Sequence, residues 1–404
     1  MTAMIDERRV WSQVVGQPAA VAELAAAATA AAALVDGTGA PGGMTHAWLF
    51  TGPPGSGRSV AARAFAAALQ CTGHAGRPGC GECGGCRTAM AGTHADVRLV
   101  VPDGLSISVA EMRSLVQIAA RRPTTGRWQV VVIEDADRLT EGAANALLKA
   151  VEEPPERTVF LLCAPSDHPD DVSVTIRSRC RVIVLRTPSA PAIAEILRRR
   201  DGIDERMAGW AASVCGGHIG RARRLATDES ARGRRDAVLR IPLGLKRFSD
   251  VFACADELVR AAESDANELS GTRDEAERDA LRTALGAGGT GKGTAAATRG
   301  MAGALKELER RQKSRATRTQ RDVLDLALVD LAAFYRDVLV AASGAPATLN
   351  HPDHADDAAT AARNWTAEST LRRLEAVLAC REALELNVKP RIAVEAMVSA
   401  LYLG

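Results

Sequence analysis

Leu49-Phe50-Thr51-Gly52-Pro53-Pro54-Gly55-Ser56-Gly57-Arg58-Ser59 is the stretch on which the fold turns. The apolar run from Trp48 to Phe50 reads as a short buried strand, and the alanine-rich stretch from Val60 to Leu69 has helix composition. Strand, glycine loop and helix in that order are the setting of a phosphate-binding loop. Glycines let successive backbone N–H groups converge on phosphate oxygens, and the helix adds the positive end of its dipole. Gly52, Gly55 and Gly57 form the candidate cradle. Arg58 stands where G-x-x-x-x-G-K-[ST] expects lysine, while Ser59 keeps the hydroxyl that would reach magnesium. Lysine is a compact point charge and arginine a bulkier planar fork. The expectation is therefore a loop that meets nucleotide but catalyses poorly. Gly286 to Lys292 also fits G-x-x-x-x-G-K, yet Gly293 replaces the hydroxyl and no strand precedes it. That second stretch reads as a flexible loop.

Around this loop the chain runs to 404 residues, more than one hydrophobic core usually serves, so two or three domains are expected. Its 47% hydrophobic and 25% charged residues are ordinary for a globular protein. A formal net charge of +2 argues against a chain that coats nucleic acid, leaving room only for local basic patches. Ala19 to Val35 is apolar but mostly alanine and carries Glu23, so it reads as a helix rather than a membrane span. No signal peptide is visible, which places the protein in the cytoplasm with no membrane partner.

Downstream of the loop, Cys71, Cys80, Cys83 and Cys86 follow the spacing C-x8-C-x2-C-x2-C with glycines between them. Four thiolates so spaced close tetrahedrally around one zinc, and a fully ligated metal is structural rather than catalytic. Disulfides are the competing reading, disfavoured by a cytosolic setting and the short C-x2-C spacing. Asp96 to Val101 suggests a strand and Ser108 to Ala120 a helix. Trp128 to Ile133 is a β-branched run ending in Glu134-Asp135-Ala136-Asp137. A wholly apolar strand that delivers carboxylates at its C-terminal end is where a doubly wound sheet binds ligands. There Glu134 and Asp135 could hold magnesium through water or orient an attacking water; a solvated acidic turn is the plainer alternative. Asn145 to Glu153 continues as a helix stopped by Pro154-Pro155, and Thr158 to Cys163 and Val182 to Leu185 are further strands. Alternating β and α segments argue for a parallel sheet covered on both faces, closed near Pro188.

Ala190 to Ala226 reads as a small helical unit containing the turn Gly216-Gly217-His218-Ile219-Gly220. The remainder shows helical spacing only: Leu324, Leu328, Leu331, Tyr335 and Val338, then Leu371, Leu374, Leu378, Leu384 and Leu386. Arg310, Arg311, Lys313, Arg315, Arg318 and Arg321 make a basic segment that could touch phosphates. With no aromatic interleaving and with Glu307, Glu309 and Asp322 beside it, a solvated helix face is the better reading.

Taken together, the phosphate loop, the four-cysteine insert, the acidic strand end, the run Asn145-Ala146-Leu147-Leu148-Lys149-Ala150-Val151-Glu152-Glu153-Pro154-Pro155 and the triplet Ser178-Arg179-Cys180 resemble bacterial clamp-loader AAA+ subunits of DNA polymerase III. The match spans roughly residues 8 to 226, with weaker support from Asn387-Val388-Lys389-Pro390-Arg391. It implies an α/β fold: a RecA-like AAA+ core with a zinc module at about 71–86 (residues 1–187), a helical lid (188–227) and an all-α collar that builds the ring (228–404). It is similar to the delta-prime, or stator, branch of the family rather than to the ATP-hydrolysing motor branch, which is the alternative. Arg58 replaces the motor's loop lysine, Gly220 falls where the motor carries a lid arginine, and Ala164-Pro165-Ser166-Asp167 lacks its threonine-rich sensor. The resemblance implies that Arg179 reaches into the ATP site of a neighbouring motor subunit, with Arg177 as the fallback. It implies structural zinc, weak binding of magnesium-ATP at best, and little or no ATPase activity of the chain's own. Expected partners are motor subunits and delta in a hetero-pentamer, and through them the sliding clamp and primed DNA.

Overall fold

The structure is a computed structural model, and it describes residues 10–38, 43–73, 77–284 and 294–404. The repeated G-x-x-x-x-G-K stretch at 286–292 lies outside them. The chain divides into two compact units, Met1–Arg223 and Arg224–Gly404.

In the first unit a single 3₁₀ turn, Val10–Gln13, leads to α1 (Pro18–Val35), β1 (Ala47–Thr51) and α2 (Arg58–Leu69). Then come α3 (Gly84–Met90), β2 (Val97–Val100), α4 (Val109–Ala119), β3 (Gln129–Ile133), α5 (Glu141–Glu152), β4 (Thr158–Ala164), the short α6 (Val174–Arg177) and β5 (Arg181–Val184). All strand pairs are parallel and the order is β2-β3-β4-β1-β5. Leu49 pairs with Leu162 on one side and Val182 on the other, while Val131 pairs with Phe160. The three inner strands are buried at every position and the two edges only in part. That pattern is why the inner strands read as unbroken apolar runs: helices cover both of their faces. Trp48, Phe50, Val130, Val132 and Leu161 pack with α1 and α2 on one face. Ala47, Leu49, Val131, Ile133 and Phe160 pack with α4 and α5 on the other.

This is a parallel α/β sheet core, with β4 lying between the loop-bearing β1 and the acid-bearing β3. Both functional ends therefore emerge on the same rim of the sheet, on either side of Cys163 and Ala164. α1 is long and apolar enough to cross a membrane by length and composition. Here, however, Leu24, Ala27, Ala28 and Ala31 are buried in the core, and Glu23 pairs with Arg181 at 2.5 Å. Three helices close the unit: α7 (Ala190–Arg199), α8 (Glu205–Val214) and α9 (Ile219–Thr227), the last crossing the division at residue 223.

The second unit is all-helical: α10 (Glu229–Gly244), α11 (Phe248–Ala284), α12 (Thr294–Ser343), α13 (Ala355–Asn364), α14 (Ala367–Glu385) and α15 (Pro390–Leu403). Leu324, Leu328, Leu331, Tyr335 and Val338 are fully buried, as their spacing predicts. The leucines of α14 split. Leu384 is buried, but Leu371 and Leu378 are nearly half exposed and Leu386, just past the helix, more so. The face that packs inward carries Thr370, Val377 and Cys380 instead. Leucine spacing predicts that helix but not its orientation.

Candidate functional site

The loop between β1 and α2 bends through Gly55 at φ 85° and Gly57 at φ 92°, left-handed conformations that favour glycine. A side chain on Gly55 would also collide with His218, whose Cα would lie 2.6 Å from the added carbon. Gly52 is confined differently, since an added carbon there would meet the carbonyl of Leu185 at 2.4 Å. Gly57 precedes α2 without capping it through a side chain, so the first-turn N–H groups of the helix are left for a ligand. Ser56 Oγ and Arg58 Nη1 are buried and lack a hydrogen-bond partner, and Ser56 is only 2% exposed. Buried donors without partners are rare and costly. A phosphate oxygen could serve as their acceptor. Ser59 sits half-buried in the first turn of α2.

Across the rim, the acids are less free than their spacing suggests. Glu134 is held at 2.7 Å by Arg63 from the second turn of α2. Asp135 has φ 54°, a left-handed conformation that aspartate tolerates better than most residues. Asp137, two residues on, has a buried carboxylate oxygen without a partner. Burial pushes its carboxyl up, Asp135 adds to the effect, and Arg138 and Arg58 oppose it. Burial also pushes up the Cys163 thiol at the end of β4, where the charges of Glu134, Arg58, Asp135 and Arg63 all act. Two arginines and the acids thus converge around one strand end. Ser166, the candidate sensor, donates its hydroxyl to Asp171 at 2.6 Å within its own turn.

Three residues of this site are not evident from motif spacing. Gln17, 6% exposed, donates to the Ser56 carbonyl at 3.3 Å and to the Arg186 carbonyl, and accepts from Arg186 N–H. It ties the loop to the end of β5. His218 packs on Gly55, and Arg63 reaches Glu134. Each is distant in sequence from what it touches, and only the polar Gln17 before a helix and the histidine in a glycine turn gave a hint.

Arg179 lies just beyond α6, 39% exposed, paired with Glu152 at 2.8 Å and donating to the Thr175 carbonyl at 2.9 Å. Arg177 is engaged by Asp167 at 2.6 Å. Both guanidiniums are at the surface, held by contacts that a stronger anion could replace.

The four cysteines come together as their spacing predicts. Their sulfurs all lie within 4.8 Å of one another, with Cys71–Cys80 at 3.7 Å and Cys80–Cys86 and Cys71–Cys83 at 4.0 Å. A tetrahedron with metal–sulfur bonds of about 2.3 Å has edges of about 3.8 Å, so the donor set fits zinc. No disulfide forms between them. The backbone N–H groups of Cys83 and Cys86 donate to the sulfurs of Cys80 and Cys83. A hydrogen bond from Cys86 pushes the Cys71 thiol down to about 4, and the same contact, with burial, pushes Cys86 up. The module is anchored through Val10 N–H to the Gly79 carbonyl at 3.2 Å and Trp11 Nε1 to the Pro78 carbonyl at 3.2 Å.

Residues 30–189 match the family described as DNA polymerase III, delta subunit. A DNA polymerase III delta-prime subunit from Pseudomonas aeruginosa is 39% identical over 156 residues, covering 38% of this chain and 47% of that protein. Over this segment the chain is similar to delta-prime subunits of DNA polymerase III. The Escherichia coli delta-prime subunit is 37% identical over 145 residues, 35% of this chain and 43% of its own. The Bacillus subtilis tau subunit is 34% identical over 150 residues, 37% of this chain and 26% of its own. The chain spans a little under half the length of the delta-prime relatives it matches. Within the delta-prime segment lie the phosphate loop, the cysteine module, the acidic strand end and Arg179. Gln17 and His218 lie outside it.

The basic segment is largely spent on internal pairs. Arg315 is bound by Asp274 at 2.7 Å and by Glu277, Arg310 and Arg311 by Glu307, and Arg321 donates to the Leu384 carbonyl and Asn387. Gln312 is buried at the centre of this ladder.

Proposed function

We propose that this chain is the stator subunit of a bacterial DNA polymerase III clamp loader, acting in the cytoplasm as one member of a hetero-pentamer with motor subunits and delta. In that role it helps place the sliding clamp on primed DNA. Its parts are an AAA+ core with a structural zinc module (1–187), a lid (188–227) and a collar (228–404). The observation that carries the reading is Arg179: an arginine at the surface of the core, held by one carboxylate, one carbonyl and the Ser178 hydroxyl, in a chain whose own loop carries arginine in place of lysine.

Arg179 supplies its guanidinium in trans to the ATP site of the neighbouring motor subunit. Two N–H groups of the planar fork meet the oxygens on which charge develops as the phosphoryl group transfers. The cost of leaving Glu152 is small, because a half-exposed pair is worth about 1 kcal/mol or less. The gain in related chemistry is about 10³–10⁵ in rate. The motor alternative needs this chain's own site to fire, and Arg63 on Glu134 and Arg58 in the loop oppose that. The test is the DNA- and clamp-stimulated ATPase of a reconstituted complex with Arg179→Ala, assembly checked by size. A drop of about a hundredfold or more with the complex intact supports the donor role; an unchanged rate removes it and directs attention to Arg177.

A further inference from the structure

The phosphate loop and the acidic rim fit two halves of one ligand differently. Phosphate fits: glycines at φ 85° and 92°, first-turn N–H groups left uncapped, and Ser56 Oγ, 98% buried in its residue environment by the 2% exposure of Ser56, without a partner. Magnesium does not. One of the two carboxylates that would hold it, Glu134, is taken at 2.7 Å by Arg63, and Arg58, a second permanent cation, acts on Asp137 and on the end of β4.

Resting on the reading of this loop as a phosphate site, we propose that the chain binds the diphosphate of a nucleotide without magnesium, with Arg58 as the phosphate-binding cation and Arg63 locking an acid that would have held the metal. The ligand class is a nucleoside diphosphate or triphosphate, bound through phosphate and not hydrolysed. Arg58 Nη1, buried and without a partner, becomes the donor to a phosphate oxygen. His218, packed on Gly55, lies over the loop, its Nδ1 accepting from Arg221 N–H at 3.2 Å. A neutral ring with Nδ1 as acceptor keeps its proton on Nε2. In the assembly such a nucleotide is a fixed part of the stator rather than a fuel.

The test is equilibrium binding of ADP to the full-length chain by calorimetry, in magnesium chloride and in EDTA, with zinc content checked after EDTA. The expected result is the same affinity in both within about threefold, and a loss of at least about tenfold in Arg58→Ala. Arg63→Gln releases Glu134, and ADP affinity in that variant is expected to become magnesium-dependent. A wild-type affinity that collapses in EDTA while zinc is retained overturns the proposal, and so does a wild-type chain that does not bind ADP. Size analysis of the reconstituted complex on the same preparations separates this from the stator reading. Assembly without nucleotide binding sinks only the proposal, and nucleotide binding without assembly sinks only the stator.

Discussion

Cys86→Ser is the most informative single perturbation of the four-cysteine module, for which zinc is the proposed metal. Cys86 is fully buried, its sulfur 4.0 Å from Cys80 and donating to the Ala67 carbonyl on α2 at 3.5 Å. A four-thiolate zinc site is worth about 10–16 kcal/mol of apparent binding energy at neutral pH. Unit stabilities are about 5–15 kcal/mol, so the core is not expected to survive loss of the whole term unless the loop comes free locally. The magnitude of that local release follows from what the loop covers. Trp11 is 9% exposed and lies against Gly79, where an added carbon would sit 2.8 Å from its indole nitrogen. Uncovering roughly 100 Å² of the ring costs about 2.5 kcal/mol at about 25 cal/mol per Å². Losing the bond from Trp11 to Pro78 adds about 1 kcal/mol. For a unit of this size a loss near 3.5 kcal/mol lowers the melting temperature by about 7–14 °C. The assay is thermal melting followed by tryptophan emission, beside zinc released per chain on thiol titration. The expected result is one zinc in the wild type, none or substoichiometric zinc in Cys86→Ser, a red-shifted emission and a melt lower by that interval. A wild type without zinc, or a variant that melts unchanged with unchanged emission, refutes the reasoning.

Asp96 is 2% exposed and accepts from the backbone of Thr124, Thr125 and Gly126 and from both threonine hydroxyls, which hold its carboxyl far below the usual range despite burial. Asp96→Ala is expected to cost roughly 3 kcal/mol or more, read as a lower urea midpoint at unchanged slope. In the second unit, Arg315 pulls Glu277 down to about 2. A depressed carboxylate contributes stability above its unfolded pKa of about 4.3 and loses it as pH falls toward 2. Helical signal at elevated temperature should therefore fall between those values, and Glu277→Gln should flatten that acid slope; an unchanged slope would show the pair to be idle. Leu328→Ala, at a fully buried position of the same unit, is expected to cost about 2–5 kcal/mol on denaturant titration.

Much of the fold was legible because its inner strands are buried on both faces. Trp48 to Phe50, Trp128 to Ile133 and Thr158 to Cys163 need no polar face, so they stand out as unbroken apolar runs, and each corresponds to a strand. The second unit was legible only as helix. Leu371 and Leu378 belong to the helix their spacing predicts yet face outward, because burial is decided by which neighbours arrive and not by period alone. The basic segment was legible in the same limited way. Glu307 flanks it in sequence, but its main partners, Asp274 and Glu277, come from another helix.

At the site, the motif marks the residues and the tertiary structure decides their state. Gly52, Gly55 and Gly57, the acids and the four cysteines could be named from spacing, since phosphate cradles and tetrahedral thiolate sites require fixed residues at short intervals. What spacing could not carry is the charge state of the cleft. Arg63 and Glu134 are 71 residues apart, and Arg58 and Asp137 almost 80, so only the order β3-β4-β1 brings them to one rim. That convergence turns a missing lysine into a coherent arrangement. A loop that had merely decayed would be expected to leave its acids open to solvent. Here one acid is locked by an arginine of the loop's own helix, and the buried donors Ser56 Oγ and Arg58 Nη1 have no partner. Arg179, meanwhile, is held at the surface by Glu152 in a half-exposed pair of the kind that is worth about 1 kcal/mol or less. Under the stator reading proposed above, a locked acid in the chain's own cleft and a surface arginine at the end of α6 belong to one division of labour, in which the chain would complete a neighbour's active site.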